Sequence, residues 1–70
     1  MNTDQTNVST GKRIRKYRKD LGLSQAALAE KADLPPNTVA RLERGEHSAK
    51  TLTLRKIAKV LKVTIDDLLD

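Results

Sequence analysis

Polar and basic side chains recur at helical spacing between residues 37 and 44. At 100° per residue, a helix through this stretch places Asn37, Arg41 and Arg44 on one side, with the small side chain of Ala40 between them. Asn can form paired hydrogen bonds with an adenine edge in the major groove of DNA, and Arg can do so with a guanine edge. The same side chains also suit an ordinary solvated helix face, and spacing alone leaves both interpretations open.

A second short helix precedes this stretch. Ser24 is a preferred N-cap, and residues 25–32 are rich in strong helix formers. Residues 33–35 interrupt that pattern, and Pro36 suits the first position of the next helix because its missing N–H costs nothing there. Two helices joined by so short a link cross steeply instead of lying antiparallel, as in a helix-turn-helix unit.

Three further segments show helical apolar spacing, so the sequence predicts an all-α fold of five short helices. The first runs from about Gly11 to Leu21, the fourth from about Thr51 to Leu61, and the fifth begins after an N-cap at Thr64. Short connections predict a compact bundle. The side chains predicted to face inward are Ile14, Tyr17, Leu21, Ala27, Leu28, Ala32, Val39, Leu42, Leu54, Ile57, Ala58, Leu61, Ile65, Leu68 and Leu69.

The length of 70 residues allows a single domain. We expect residues 1–9 to form a mobile polar tail and residues 10–70 to form the folded domain. The chain has no Cys and one His, so disulfides are excluded, the usual zinc spacings cannot be built, and no metal or cofactor is predicted. No apolar stretch reaches the ~18–20 residues of a membrane span, and the start lacks the pattern of a secretory signal. These features predict a cytoplasmic protein.

Basic residues outnumber acidic ones by 14 to 9, which gives a formal net charge of +5. This charge favours a polyanionic partner, either nucleic acid or an anionic membrane surface, although solubility alone also explains it. The apolar stripe of the basic first helix is needed for the core, which disfavours membrane binding. The chain has no pair of carboxylates framed by apolar residues and is too short for a deep cleft, so an enzyme is the weakest interpretation. The six basic residues of the first helix are Lys12, Arg13, Arg15, Lys16, Arg18 and Lys19.

Five segments between residues 11 and 69 are weak signals individually, but their order and spacing together are highly specific. They are Ile14-Arg-Lys-Tyr-Arg18, Leu21-Gly-Leu-Ser-Gln-Ala-Ala-Leu-Ala-Glu-Lys-Ala32, Thr38-Val-Ala-Arg-Leu-Glu-Arg-Gly45, Leu54-Arg-Lys-Ile-Ala-Lys-Val-Leu61 and Val63-Thr-Ile-Asp-Asp-Leu-Leu69. Together they resemble the phage-repressor-like (Cro/repressor, or XRE) helix-turn-helix family. The resemblance implies a compact five-helix bundle of the lambda-repressor-like DNA-binding type, in which helices two and three form the helix-turn-helix.

The resemblance also implies roles for individual residues. The third helix would be the recognition helix that enters the major groove. Gln25 would bind a phosphate at the start of the second helix, and Arg44 would lie near the opposite backbone. His47, in the loop that follows, is explained either by phosphate contact or by plain exposure. The predicted base-reading residues are Pro36, Asn37, Thr38 and Arg41, and the predicted phosphate-binding residues are Ser24, Gln25, Arg44, His47 and Lys50.

Two positions depart from the family pattern. Asp33 stands at a turn position where Gly is common, and the left-handed backbone conformation required there is tolerable for Asp. Pro36 stands where a hydrogen-bonding residue is common, and proline offers only apolar contact, for instance to a thymine methyl group. Direct readout therefore depends on Asn37 and Arg41.

The first helix carries one charge in an unusual place. Arg18 lies on the inward stripe beside Ile14 and Leu21, where a charge needs a partner. The family pattern supplies Glu43 of the third helix, which implies a structural ion pair between Arg18 and Glu43. The alternative is that both are independent surface charges.

The sequence thus predicts a sequence-specific regulator of transcription that binds double-stranded DNA, most simply a repressor. Because one helix reads only about half a turn of DNA, we expect a homodimer on a two-fold-related operator, with residues 61–69 as its dimer surface. DNA binding would associate the protein with the nucleoid, and no small-molecule ligand is evident. The alternative is a protein-interaction module, such as an antitoxin-like or bridging factor, for which DNA binding is secondary.

Overall fold

The computed structural model describes residues 3–46 and 49–69, with side chains described from residue 8 onward. Within these residues the chain forms five helices and no strand, which confirms the predicted fold class. The helices are α1 (Thr3–Asp20), α2 (Gln25–Lys31), α3 (Thr38–Glu43), α4 (Thr51–Leu61) and α5 (Ile65–Leu68). No helix within the described residues is long and apolar enough to cross a membrane.

The helix α1 begins earlier than its apolar pattern indicates. Its first residue is Thr3, whereas the expected start was near Gly11, so residues 3–9 of the predicted tail are helical. An existing helix gains one hydrogen bond for each residue added, and it can therefore extend without further apolar side chains. The mobility of residues 1–9, and with it the division of the chain at residue 10, stays a prediction.

The helix α3 begins later than expected, at Thr38 instead of Pro36. Pro35 precedes another proline, and a residue in that position is biased away from helical backbone angles. The chain instead forms a turn, in which the N–H of Thr38 donates to the carbonyl oxygen of Pro35 at 3.0 Å. The link between α2 and α3 therefore extends over residues 32–37.

Four of the helices end in the same way, with a residue of positive φ that turns the chain away. These residues are Gly22 (φ 71), Gly45 (φ 73), Asp33 (φ 58) and Lys62 (φ 62). In each case its N–H and the next N–H donate to carbonyl oxygens of the last helical turn, as in a Schellman motif. Asp33 has the left-handed conformation that was predicted for it. Lys62 was not predicted, because no feature of a lysine signals this conformation.

The core is one cluster of apolar side chains drawn from all five helices. Among its members only Ala29 was absent from the predicted set. Leu21 and Leu69 were expected to face inward, but they are 45% and 37% exposed, because each lies just beyond the last residue of its helix, where helical spacing no longer applies. The buried members are Ile14, Leu28, Ala29, Ala32, Val39, Leu42, Leu54, Ile57, Ala58, Leu61 and Leu68.

A glycine allows α1 to pack closely against α3. A Cβ atom at Gly11 would overlap the carbonyl oxygen of Leu42 and lie 2.9 Å from that of Glu43. Any larger residue would force the two helices apart. Two turns further along α1, this close approach brings Arg18 within reach of the Glu43 side chain.

Candidate nucleic-acid interface

The last residue of α3, Glu43, is bound to α1 by an ion pair. Two bonds join the side chains: Nε of Arg18 donates to Oε2 of Glu43 at 2.6 Å, and Nη2 donates to Oε1 at 3.0 Å. Nη1 of Arg18 donates to the carbonyl oxygen of Leu23 at 2.8 Å. The two side chains are 10% and 4% exposed. The ion pair expected between Arg18 and Glu43 is therefore present, and it lies almost entirely out of water.

The electrostatics of this pair favour the charged arginine. The hydrogen bond to Glu43 raises the pKa of Arg18 above its ordinary value; burial opposes this rise, and the negative charge of Glu43 adds to it. The guanidinium consequently stays protonated throughout the physiological range. Within the described residues, every buried side-chain nitrogen and oxygen has a hydrogen-bond partner.

The first residue of α2, Gln25, joins the same carboxylate. Its Nε2 donates to Oε1 of Glu43 at 3.0 Å, so that Glu43 connects α1, α2 and α3. One amide N–H of Gln25 remains open to donate to a ligand such as phosphate. Sequence reasoning missed this bond, because residues 18 apart across a turn leave no periodic signal.

Ser24 is the N-cap residue of α2, as predicted. The Ser24 hydroxyl oxygen accepts a hydrogen bond from the N–H of Ala27 at 3.0 Å. The hydroxyl proton is not used by that bond and can still be donated to an acceptor. Ser24 is exposed, whereas Gln25 is half-buried.

The outer face of α3 carries side chains that are free to bind. Arg41 on this face is exposed, as are Pro36 and the N-cap residue Asn37 just before the helix, and Thr38 is half-buried. Within the described residues, Asn37 and Arg41 make no side-chain hydrogen bond or ion pair. The opposite face of α3 is buried in the core through Val39 and Leu42. The helix thus presents a polar and positive surface on a fixed support.

Arg44, directly after α3, is already paired. Its Nε donates to Oε2 of Glu46 at 2.7 Å, and its Nη2 donates to Oε1 of Glu46 at 3.3 Å. The side chains are 60% and 50% exposed. Arg44 is at the end of α3, as predicted, but its pairing with Glu46 was not expected. Opposite charges two residues apart across a glycine turn are the signal that could have found it.

The remaining predicted phosphate contacts lie in the loop before α4. Lys50 is exposed and is the N-cap residue of α4 without a side-chain capping bond. His47 lies outside the described residues. Among those residues, no cluster of three or more His, Cys, Asp or Glu could hold a metal ion.

Two short helices joined by a turn, with an exposed outer face on the second helix and a buried ion pair to α1, are the arrangement of a known family. The family model described as "Helix-turn-helix" matches residues 14–68. The chain belongs to the helix-turn-helix family. The resemblance to phage-repressor-like proteins is confirmed by this match and by the relatives described below.

The transcriptional regulator SinR is similar to this helix-turn-helix chain in sequence and in structure. SinR of Bacillus subtilis is 38% identical over 61 residues, which cover 86% of this chain and 55% of SinR. A crystal structure of the biofilm master regulator SinR in complex with DNA superposes with a TM-score of 0.84. That pair is 37% identical, over 87% of this chain and 98% of the SinR chain.

Two further helix-turn-helix proteins extend the comparison. The restriction-modification controller protein C.AhdI of Aeromonas hydrophila superposes with a TM-score of 0.86 at 32% identity, covering 90% of this chain and 96% of its own. The immunity repressor of Bacillus phage phi105 is 34% identical over 58 residues, which cover 83% of this chain and 40% of the repressor. This chain thus spans roughly half the length of SinR and less than half that of the phage repressor.

Proposed function

We propose that this protein is a sequence-specific DNA-binding regulator of transcription and that it acts as a repressor. The observation that carries the proposal is the surface formed by the N-cap residue Asn37 and the outer face of α3, where Asn37 and Arg41 are exposed and unpaired within the described residues. That face is supported from behind by the buried bond between Arg18 and Glu43. Prepositioned donors on a rigid helix suit the reading of base edges. The SinR–DNA complex and the phage immunity repressor among the relatives support the same function.

The base-reading residues divide by chemistry. Asn37 can pair with adenine and Arg41 with guanine, each through two hydrogen bonds. Pro36 offers apolar contact to a thymine methyl group. Thr38 is half-buried, so it contacts a base edge only if the start of α3 lies close to the DNA. The proposed phosphate contacts are the Ser24 hydroxyl, the open amide N–H of Gln25, Arg44 and Lys50, with His47 as a further candidate.

We propose that the active form is a homodimer on a two-fold-related operator. Within the predicted dimer surface, residues 61–69, Leu61 and Leu68 are 3% and 0% exposed and belong to the core. The apolar side chains left for a partner are therefore Leu69, which is 37% exposed, and the half-buried Val63 and Ile65. A single short helix makes too few contacts for specific affinity. Two copies would double the number of base and phosphate contacts.

We propose further that the protein is not an enzyme and that it acts in the cytoplasm, associated with the nucleoid. Membership of a family whose relatives are transcriptional regulators supports both statements. Neither a cofactor nor a small-molecule ligand is part of the proposal.

Selection of binding sites from a random pool of DNA duplexes tests the function, its symmetry and its spacing together. We expect enrichment of one sequence with two related halves. Repeating the selection with Arg41→Ala should relax the preference at one base pair in each half, whereas Gln25→Ala should weaken all sequences alike. If Arg41→Ala kept the full preference of the parent, α3 would not read bases in the proposed way.

The dependence of binding on salt separates DNA from a protein partner. If a dimer neutralises ~6–10 phosphates, its affinity should fall by about 10³- to 10⁵-fold between roughly 50 and 200 mM salt. A flat response, together with no enriched sequence, would favour a protein-interaction module such as an antitoxin-like or bridging factor.

A further inference from the structure

The exposed pair between Arg44 and Glu46 lies at the point where the recognition helix ends. The backbone there is held by two hydrogen bonds: the N–H of Gly45 donates to the carbonyl oxygen of Leu42 at 3.1 Å, and the N–H of Glu46 donates to that of Arg41 at 3.2 Å. These bonds form the Schellman motif that closes α3. The carboxylate of Glu46 is therefore anchored beside α3 and is not carried on a freely moving loop.

The pair occupies one of the two edges of the guanidinium through which a phosphate can bind. Nε and Nη2 of Arg44 form one edge of the guanidinium, and both point at Glu46. A phosphate would accept hydrogen bonds from the same edge in the same paired geometry. While the pair is intact, its two charges cancel, so Arg44 neutralises no phosphate and releases no counterion from DNA.

The pair between Arg44 and Glu46 is also weak enough for a phosphate to replace the carboxylate. Its side chains are 60% and 50% exposed, and exposed ion pairs contribute little to stability because water and salt screen them. A DNA phosphate can therefore replace the carboxylate of Glu46, but the carboxylate opposes this exchange as a competitor and as a like charge.

We propose that Glu46 limits the affinity of this protein for DNA by occupying Arg44 in the free state. The inference rests on the proposed function, since it concerns one of the phosphate contacts of that function. Through the edge formed by Nε and Nη2, Arg44 binds a phosphate only after Glu46 has been displaced. Glu46 thereby keeps the general attraction for DNA low and leaves the contacts of Asn37 and Arg41 to decide where the protein binds.

The first experiment compares the parent with Glu46→Gln, which has nearly the same shape and no charge. Binding is measured by fluorescence anisotropy on the selected operator and on a random duplex of equal length. We expect Glu46→Gln to raise the affinity for both duplexes by about two- to five-fold per protomer at low salt. The slope of log affinity against log salt should steepen by up to about 0.9 per protomer, the equivalent of one more phosphate contact.

A double-mutant cycle separates the pair from net charge alone. In the Arg44→Ala background the Glu46→Gln exchange should have a smaller effect, because only the repulsion between the carboxylate and DNA is then removed and no guanidinium is released. Glu30→Gln is the matched control: Glu30 is exposed on α2, has no side-chain partner within the described residues, and loses the same charge. We expect Glu30→Gln to change affinity less than Glu46→Gln does.

The outcomes are distinguishable. An unchanged or lower affinity in Glu46→Gln overturns the inference, and a lower affinity would mean that Glu46 orients Arg44 for its phosphate. A gain that persists at full size in the Arg44→Ala background, or that Glu30→Gln equals, overturns it in favour of net charge. If the parent binds no duplex at low salt, the proposed function itself fails, whereas DNA binding by the parent without a gain in Glu46→Gln refutes only the role of Glu46.

Discussion

Two Arg–Glu pairs at the end of α3 have nearly the same geometry and opposite surroundings. The shortest nitrogen–oxygen distance is 2.6 Å between Arg18 and Glu43 and 2.7 Å between Arg44 and Glu46. The side chains of the first pair are 10% and 4% exposed, whereas those of the second are 60% and 50% exposed. The first pair joins residues 25 apart on different helices, and the second joins residues 2 apart in the same turn.

This contrast shows that bond length does not determine what an ion pair does. When one partner of a buried pair is removed, the other is left as an uncompensated charge, which costs several kcal/mol. When one partner of an exposed pair is removed, water solvates the other at almost no cost. Breaking the Arg18–Glu43 pair is therefore costly to the fold, whereas the Arg44–Glu46 pair is open to exchange with a ligand.

The largest expected effect comes from Glu43→Ala. This change leaves the guanidinium of Arg18 without its carboxylate and also removes the acceptor of Gln25. We expect the free energy of unfolding to fall by about 3–5 kcal/mol, which lowers the melting temperature of a domain of this size by more than about 10 °C. Thermal unfolding followed by circular dichroism measures it. A melting temperature within a degree or two of the parent would mean that the buried pair contributes no more than an exposed one.

Gly11→Ala tests the comparison in a different way. It changes the packing of α1 on α3 and leaves the side chains of both ion pairs unaltered. The added Cβ would overlap the carbonyl oxygen of Leu42, so α1 must move away from α3 and water can approach Arg18. We expect a loss of about 1–3 kcal/mol in the free energy of unfolding, measured by denaturant titration. Lys12→Ala, at the exposed neighbouring position, is the control and should be nearly neutral. Equal stability of the two variants would show that close packing of α1 on α3 is not required.

Gln25→Ala sharpens the description of the buried pair. On sequence grounds, truncating Gln25 should leave folding nearly unchanged, since it is not on the apolar side of α2. The hydrogen bond from its Nε2 to the carboxylate of Glu43 changes that expectation. We now expect a loss of about 1 kcal/mol in the free energy of unfolding, smaller than for Glu43→Ala because Arg18 still holds the carboxylate. A variant as stable as the parent would show that Arg18 alone satisfies Glu43.

Features with a local cause could be predicted from the sequence. The bounds of α4 and its buried side chains Leu54, Ile57, Ala58 and Leu61 match the prediction, because a strong apolar period leaves one helix face suited to the core. The N-caps Ser24 and Thr64 are also as predicted, and each depends on residues no more than three positions away. At Thr64 the structure adds a reciprocal bond with Asp67.

Features that depend on packing between helices could not be predicted from the residues alone. The Arg18–Glu43 pair followed from the family resemblance, because no local rule connects residues 25 apart. Neither the close approach of Gly11 to α3 nor the bond from Gln25 to Glu43 has a pattern along the chain. The site itself shows the same division, since exposure of Asn37 and Arg41 followed from helical spacing whereas the pairing of Arg44 did not.

The smallest expected effect concerns the exposed pair. The same substitution, arginine to lysine, can be made in both ion pairs. Lysine keeps the positive charge of arginine but lacks the planar fork that bonds a carboxylate through two nitrogens. Arg44→Lys should change the free energy of unfolding by less than about 0.5 kcal/mol, because water already solvates most of that pair. Arg18→Lys should cost clearly more, because the buried lysine cannot bond both oxygens of Glu43 and the carbonyl oxygen of Leu23 in the geometry that Arg18 uses. Denaturant titration of the two variants side by side measures the difference. Equal losses would mean that burial does not separate the two pairs, and the fold would then depend on the charge of Arg18 alone and not on its shape.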